Sequence, residues 1–318
     1  MKTRMMLAAM ALTAASLSHA AEQPYPTRSV RVLVGLAPGG GTDTVASAIS
    51  QKLSDALGHS FVVDNRPSAG GNIAGELAAR ATPDGYTLII VTPTHVVNPS
   101  LYKDLRYDAI KDFAAVARIV DAQYFLSVSN NLPVTSLAEL LAYAKSAPKP
   151  ISYASSGIGS ANHLSGELFK TMAGINMVHV PYKGGAPALN AIIAGEVQVS
   201  FTSSAALAHA KAGRIKTIAS TGTKRTSIAP NIPTIAEAGV PGFEVVGWYG
   251  MAAPAKTPRS VIERLNSTIN RVLPELKERY ANFGMEIAGG TAAEFGAFLK
   301  SERDKWARVV KMSGAKVE

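Results

Sequence analysis

The 318-residue chain contains no cysteine, which excludes disulfides and thiolate chemistry. After residue 17 it has no apolar run long enough to span a bilayer. Lys and Arg (32) outnumber Asp and Glu (23), giving a formal charge of +9, but the basic residues are scattered, and aromatic residues make up only 7%. We therefore predict no nucleic-acid partner and no membrane-inserted segment in the mature protein.

The first 20 residues have the pattern of a secretory signal peptide. Lys2 and Arg4 are positive, residues 5–17 are apolar but short, and residues 18–20 (SHA) end in a small residue. We predict that residues 1–20 are cleaved on export and that the mature protein lies in an extracytoplasmic space. Loss of Lys2 and Arg4 lowers the formal charge from +9 to +7.

Residues 32–43 (VLVGLAPGGGTD) form a junction between a strand and a helix. The apolar run predicts a buried strand, the three glycines predict a loop, and Thr42 and Asp43 open an amphipathic helix that ends at Leu57. Free N–H groups and the helix dipole make such a junction a natural anion site. The alternative interpretation is that the glycines only form a tight turn and that Thr42 or Asp43 only caps the helix.

A second junction of the same kind follows later in the chain. Residues 151–154 predict a short strand, residues 155–160 (SSGIGS) a polar loop, and residues 161–173 a helix with apolar residues at steps of four. If each loop tops its own sheet, the two loops face each other across a cleft. We predict that they bind the two ends of one ligand.

Strands and helices alternate along the chain, which predicts an α/β fold with mostly parallel sheets flanked by helices. Ligands bind such sheets at the carboxyl ends of the strands, where residues 92–95 (TPTH) fall. Two β-favouring stretches, 113–128 and 243–253, are long enough to cross between domains. A predicted C-terminal helix over 292–312 has its aromatic residues on one face, which indicates burial in a core.

The mature chain would have 318 − 20 = 298 residues, a length that favours two domains. We predict a first lobe built from both chain ends, residues 21–124 with 248–318. A second lobe, residues 125–247, is then inserted in the middle. Two crossing strands would join the lobes.

Enzymatic interpretations have weaker support in the residues. The glycines of the first loop do not follow the G-x-G-x-x-G spacing of a Rossmann dinucleotide site, although Asp64 closes the second strand where a ribose-binding acid would fall. The histidines show no paired metal-ligand spacing, and no G-x-S-x-G nucleophile motif occurs. We predict no catalytic residue, no metal and no cofactor.

A binding module accounts for more of the sequence. Two loops rich in backbone and hydroxyl donors suit carboxylates held by neutral hydrogen bonds and helix dipoles. Tyr182, Trp248 and Tyr249 could wall an apolar body between two anionic ends, or pack in a core.

Motifs along nearly the whole mature chain resemble those of one family, the extracytoplasmic solute receptors of the tripartite tricarboxylate transporters, also called Bug receptors. The matching stretches are 37–43 (APGGGTD), 64–73 (DNRPSAGGNI), 83–88 (PDGYTL), 107–113 (YDAIKDF), 153–157 (YASSG), 163–169 (HLSGELF), 179–184 (HVPYKG), 233–239 (PTIAEAG) and 305–310 (KWARVV). The resemblance implies a two-lobed periplasmic binding protein of type II (Venus-flytrap) that closes on a small carboxylate and delivers it to a membrane permease.

The resemblance also implies a set of ligand-binding residues. In that family the first glycine loop holds one carboxylate through its backbone and bound waters, which corresponds here to Gly39, Gly40, Gly41 and Asp43. The loop of the other lobe holds the far end, which corresponds to Ser155, Ser156, Gly157 and Ser160. The strand end at 92–95 adds side contacts, among them Thr94 and His95.

One position departs from the family pattern. Many relatives carry an aspartate where this chain has Thr202, and its loss argues against a ligand that presents an amine and favours an acidic or aromatic carboxylate. We predict a monomeric receptor that works by hinge closure. The alternatives are a periplasmic enzyme on the same scaffold and a sensor that presents its ligand to a membrane kinase.

Overall fold

A computed structural model describes residues 25–182 and 184–313; the predicted signal peptide lies outside these residues. The protein has the predicted two-lobed α/β fold, with one sheet in each lobe. The strands are β1 (Val30–Val34), β2 (Phe61–Asn65), β3 (Thr87–Val91), β4 (Phe113–Gln123), β5 (Phe125–Ser129), β6 (Ile151–Ser155), β7 (Met177–Pro181), β8 (Val199–Thr202), β9 (Ile215–Ser220), β10 (Val246–Pro254) and β11 (Met285–Ile287).

The helices lie between these strands and at the C-terminal end. They are α1 (Gly41–Leu57), α2 (Asn72–Ala79), α3 (Pro93–Leu101), α4 (Leu137–Ser146), α5 (Ala161–Ala173), α6 (Gly185–Ala194), α7 (Ala205–Lys211), α8 (Arg259–Val272), α9 (Lys277–Ala281) and α10 (Ala292–Ser313), with 3₁₀ turns at Ala69–Gly71 and Leu273–Leu276. No helix in the described part of the chain is long and apolar enough to cross a membrane.

The first sheet has six strands in the order β11-β4-β10-β3-β1-β2. Strand β1 pairs in parallel with β2 and β3, so that Val32 aligns with Val63 on one side and Leu88 on the other. Val32 and Leu33 point to opposite faces of the sheet, and both are fully buried. Such double burial is typical of a parallel strand covered by helices on both faces.

The second sheet has five strands in the order β7-β6-β8-β5-β9. Strand β6 pairs in parallel with β7 and β8, and β5 pairs antiparallel with β8 and β9. The three adjacent parallel strands repeat the arrangement of the first lobe. The carboxyl end of β6 therefore occupies the place in its sheet that the carboxyl end of β1 occupies in the other.

Both sheets are mixed, but most of their strands run in one direction, as predicted. In the first sheet β10 runs antiparallel to both β3 and β4, and β11 runs antiparallel to β4, so β1, β2, β3 and β4 share one direction. In the second sheet β5 is reversed relative to the other four strands. Strands β5 and β10 are those with which the chain enters the second lobe and returns to the first.

The two connections between the lobes lie side by side. The predicted crossing over 113–128 is two strands, β4 and β5, with Tyr124 between them. Tyr124 and Thr221 exchange hydrogen bonds, since the Tyr124 N–H donates to Thr221 Oγ1 and the Thr221 N–H donates to the Tyr124 carbonyl, both at 2.9 Å. The returning chain joins them because the Val245 N–H donates to the Thr221 carbonyl at 2.9 Å. The lobe boundaries at 124 and 247 remain predictions.

The C-terminal helix α10 packs against α3 in the first lobe and α5 in the second. Its apolar face carries Phe295, Leu299 and Trp306, all buried, as the spacing predicts. These side chains belong to one hydrophobic cluster that also includes Leu101 of α3 and Leu164 of α5. Helix α10 therefore contacts two helices that begin at the cleft.

Candidate functional site

A cavity of about 300 Å³ lies between the lobes, at the carboxyl ends of β1, β3 and β6. The first lobe contributes loop residues and the first turns of α1 and α3, the second lobe contributes the loop before α5, and the two connections form the back wall. The lining residues are Leu36, Thr42, Gly70, Thr92, Pro93, Thr94, Asn98, Leu101, Tyr102, Tyr124, Ser156, Ile158, Gly159, Ser160, Ala161, Gly247, Trp248 and Tyr249.

The first glycine loop is held in shape by Asp43. One carboxylate oxygen accepts a hydrogen bond from the Gly39 amide at 2.9 Å, and the other accepts one from Asn65 Nδ2 at 3.0 Å. Gly39 has a φ of +84°, which favours glycine. Asp43 therefore organises the loop. The neighbouring Thr42 lines the cavity, whereas the predicted contacts Gly39, Gly40, Gly41 and Asp43 do not.

The strand end at 92–95 is the start of helix α3, which the sequence analysis did not predict. Pro93 lies in its first turn, where a missing N–H costs nothing. Thr94 lines the cavity, and its hydroxyl lies 2.8 Å from that of Thr92.

His95 points away from the cavity into the first lobe. The side chain is buried, and its Nε2 lies 3.0 Å from the Ala109 carbonyl. Burial lowers the pKa of His95 to about 4, so the ring is neutral and donates from Nε2 to that carbonyl. The imidazole ring stacks on the ring of Tyr107 and contacts the ring of Phe113 edge-on. These contacts indicate a structural role in the lobe.

In the second lobe, Ser160 caps α5. Its hydroxyl accepts from the His163 amide at 3.3 Å and donates to the Gly157 carbonyl at 2.5 Å. Ser156 donates to Asn162 Oδ1 at 2.8 Å. Ser156 and Ser160 line the cavity, but their hydroxyl hydrogens are already used within the loop.

The remaining predicted residues lie behind this loop. Ser155 is fully buried and lies 2.6 Å from His179 Nε2, while Gly157, with a φ of +127°, donates its amide to Ser155 Oγ at 3.1 Å. Thr202 is buried in β8, where its hydroxyl donates to the Phe125 carbonyl at 3.1 Å and lies 2.9 Å from Ser127 Oγ. Ser155, Gly157 and Thr202 are absent from the lining of the cavity.

The back wall holds the residue that sequence reasoning missed, Tyr124. Its ring packs on Gly247, where an added Cβ would lie 3.0 Å from the Tyr124 hydroxyl. Tyr249 approaches the N-terminus of α1, since a Cβ on Gly41 would lie 2.8 Å from its hydroxyl. No motif marks Tyr124; its only signal is its place inside the crossing stretch.

Four residues that line the cavity have hydroxyls with no hydrogen-bond partner among the described residues, namely Thr42, Tyr102, Tyr124 and Tyr249. Burial raises the pKa of all three tyrosines above its usual value, so they stay protonated and can donate. These hydroxyls, more than the predicted serines, are available to a ligand oxygen.

The electrostatic character of the cavity comes from helix ends. Thr42, Pro93 and Ala161 place the first turns of α1, α3 and α5 in its wall. Each helix N-terminus presents free N–H groups and a partial positive charge. None of the residues described as lining the cavity has a charged side chain. The site therefore attracts anions while leaving any bound anion without a charged partner.

No group of three or more His, Cys, Asp or Glu side chains that could hold a metal ion occurs within residues 25–182 and 184–313.

The fold and the site together match a single class, the extracytoplasmic solute receptors. Residues 45–315 match the family described as "Tripartite tricarboxylate transporter family receptor", and the chain belongs to this family. The family consists of receptors, so the prediction of a receptor and not an enzyme is confirmed.

Individual relatives extend over almost the whole chain. A "UPF0065 protein in tcbD-tcbE intergenic region" of Pseudomonas sp. (strain P51) is 35% identical over 95% of this chain and 91% of its own length. The solved structure "R. palustris Rpa4515 with adipate" is 39% identical with a TM-score of 0.81, covering 92% of this chain and all of that one. "MatC (Rpa3494) from Rhodopseudomonas palustris with bound malate" is 31% identical with a TM-score of 0.76, covering 90% and 100%.

Proposed function

We propose that this protein is a periplasmic receptor that captures a small di- or tricarboxylate, or an aromatic carboxylate, between its lobes and delivers it to a permease of the tripartite tricarboxylate transporter system. The observation that carries this proposal is the convergence of three helix N-termini and four available hydroxyls on a cavity lined by no charged side chain. Neutral donors bind a carboxylate and also allow its release to a partner.

The cavity also favours a ligand with an apolar middle. Leu36 and Leu101 from the first lobe, Ile158 from the second, and the ring of Tyr102 line it between the polar groups. A volume of about 300 Å³ is at the small end of ligand sites. The relatives solved with adipate and malate support a small carboxylate, since both compounds carry two carboxyl groups on a short chain.

A thermal-shift panel tests the ligand class. The mature protein is denatured and refolded to remove any bound acid, then heated with adipate, malate, citrate, aspartate, nicotinate or terephthalate. At a hundredfold excess over the dissociation constant, binding stabilises the fold by roughly 2.7 kcal/mol. We expect a clear shift with at least one acid, and a smaller one with aspartate, because no residue that lines the cavity has a carboxylate to pair with an amine.

Adipamide is the matched control, because it has the length of adipate and no charge. An equal shift with adipamide, or no shift with any acid, would contradict the carboxylate proposal. Delivery is tested separately by uptake of the labelled acid into cells that contain the permease, with and without the receptor. Uptake that does not depend on the receptor would overturn the transport part alone.

A further inference from the structure

Side chains from three motifs of the second lobe meet in one largely buried cluster behind the cavity loop, and none of these side chains lines the cavity. We call it the imidazole cluster; its members are Tyr153, Ser155, His163, Glu167 and His179. The Tyr153 hydroxyl donates to Glu167 Oε1 at 2.6 Å, and Ser155 Oγ lies 2.6 Å from His179 Nε2. The His163 and His179 rings are 4.1 Å apart.

His163 connects this cluster to the ligand cavity. The Gly159 amide donates a 3.1 Å hydrogen bond to His163 Nδ1, and Gly159 lines the cavity. This bond requires a lone pair on Nδ1, so the proton of the neutral ring lies on Nε2. His163 is only 4% exposed, which leaves little room for water to replace it as the acceptor.

The Gly159 amide depends on that acceptor. Gly159 has a φ of +78° and is followed by Ser160, the cap of α5. The loop before it is held by Ser155 Oγ, which accepts from the Gly157 amide at 3.1 Å. His163 and Ser155 therefore fix two successive turns of the segment that lines the cavity from the second lobe.

The surroundings of the two rings oppose their protonation. The titratable groups that face them are Glu167 and Lys170 of α5 and Tyr153 of β6; Glu167 forms a 2.8 Å ion pair with Lys170. Burial lowers the pKa of His163, and burial together with the neighbouring His163 lowers that of His179 to about 4. Both rings are thus neutral near pH 7.

We propose that His163 is a positioning residue for ligand binding, whose neutral Nδ1 holds the Gly159 amide and so fixes the cavity loop, and whose protonation in acid releases this loop and weakens ligand affinity. The effect on affinity rests on the proposed binding function, whereas the role of His163 in holding the Gly159 amide does not. Burial lowers the pKa of His163, so the ring stays neutral somewhat below the usual histidine pKa of about 6.5. Since the bound loop needs the neutral ring, affinity is full near pH 7 and falls as the pH is lowered towards the depressed pKa of His163.

Two substitutions separate the acceptor from the charge. His163→Asn keeps an acceptor near the position of Nδ1 and cannot titrate, whereas His163→Leu removes the acceptor. Glycine-selective ¹⁵N labelling of the ligand-free protein follows the Gly159 amide by NMR. In the wild type we expect the protection factor of this amide against hydrogen exchange to fall as the pH is lowered. It should stay constant in His163→Asn and be lost at every pH in His163→Leu.

Adipate binding measured by calorimetry between pH 5 and 8 provides the second readout. We expect affinity about tenfold weaker in His163→Leu at pH 7.5. Protonation of adipate itself weakens binding in acid in every variant, so we expect the wild type to lose more affinity in acid than His163→Asn does. A Gly159 amide unchanged by His163→Leu overturns the positioning role. An additional loss in acid that survives in His163→Asn but disappears in His179→Gln overturns the assignment to His163. A wild type that binds no acid contradicts the proposed function, while the Gly159 result still decides the positioning role.

Discussion

The indole nitrogen of Trp248 donates a 3.0 Å hydrogen bond to Oε2 of Glu302, and Trp306 donates to the same oxygen at 2.9 Å. These are the two tryptophans of the chain. Glu302 is 5% exposed and its other oxygen pairs with Lys305. One buried carboxylate on α10 therefore ties a wall of the cavity to the helix that packs on both lobes.

Glu302→Ala should lower the free energy of unfolding by about 2–4 kcal/mol, because two buried indole N–H groups lose their acceptor. Glu302→Gln should cost less, since an amide oxygen still accepts. Urea unfolding followed by tryptophan fluorescence measures both. Glu275→Ala is the control, because its ion pair with Lys52 is exposed and should contribute less than about 1 kcal/mol. Equal costs for the Glu302→Ala and Glu275→Ala variants would contradict the expectation.

Tyr124→Phe should weaken adipate binding about tenfold or more, since it removes a hydroxyl that lines the cavity and can donate to a carboxylate. The fold should be unaffected, because that hydroxyl has no partner among the described residues. Calorimetric titration gives the dissociation constant. Tyr143→Phe, on the exposed side of α4, controls for loss of a hydroxyl as such. A change of less than twofold in Tyr124→Phe would argue against a direct contact.

The local parts of the site could be predicted from the sequence. The glycines before Thr42 and the SSGIGS loop before Ala161 end apolar strands and begin amphipathic helices. The second helix starts at Ala161, as predicted, and the first starts at Gly41, one residue before the predicted Thr42. Helix α3 could not be predicted from the sequence pattern, because it contains Pro93 and Pro99 and proline disfavours the interior of a helix. Pro93 nevertheless suits the first turn, where no N–H is needed.

The contacts of individual side chains could not be predicted, because they depend on residues distant in the chain. Asp43 and Thr202 resemble ligand contacts by position, but Asn65 and Phe125 take up their polar atoms. His95 looks exposed beside two threonines, yet it is buried against Ala109. Tyr124 reaches the cavity only because the two connections between the lobes lie together.

Protonation of His95 should make the fold less stable in acid. Its pKa is lowered to about 4 by burial, while the unfolded chain has a value near 6.5. Below pH 6.5 the unfolded state binds a proton that the folded state does not, so stability falls from pH 6.5 towards pH 4, by about 3 kcal/mol in total for this group.

His95→Gln tests this, because glutamine can donate to the Ala109 carbonyl and does not titrate. Urea unfolding at pH 7.5 and at pH 4.5 should show a smaller loss of stability in His95→Gln than in the wild type. Some loss should persist, since His179 also has a pKa of about 4. The same loss in both proteins would mean that His95 titrates normally in the fold.

The lobes touch where Gly159 meets Leu101 of α3. A Cβ on Gly159 would lie 2.5 Å from Leu101 Cδ1, and Leu101 is buried. Gly159→Ala should therefore hold the lobes apart and weaken adipate binding about fivefold or more. Gly174→Ala is the matched control: its φ of +61° imposes similar backbone strain, of about 1 kcal/mol, but nothing lies within 4 Å of the added Cβ.

Adding Leu101→Ala to Gly159→Ala discriminates between obstruction and loop damage. If the methyl group blocks the approach of the lobes, removing the Leu101 side chain makes room and the double variant binds adipate more tightly than Gly159→Ala alone. If the substitution only strains the loop, the losses add, because the strain at Gly159 does not depend on Leu101. Calorimetric titration of the two single variants, the double variant and Gly174→Ala therefore measures whether closure of the lobes contributes to affinity.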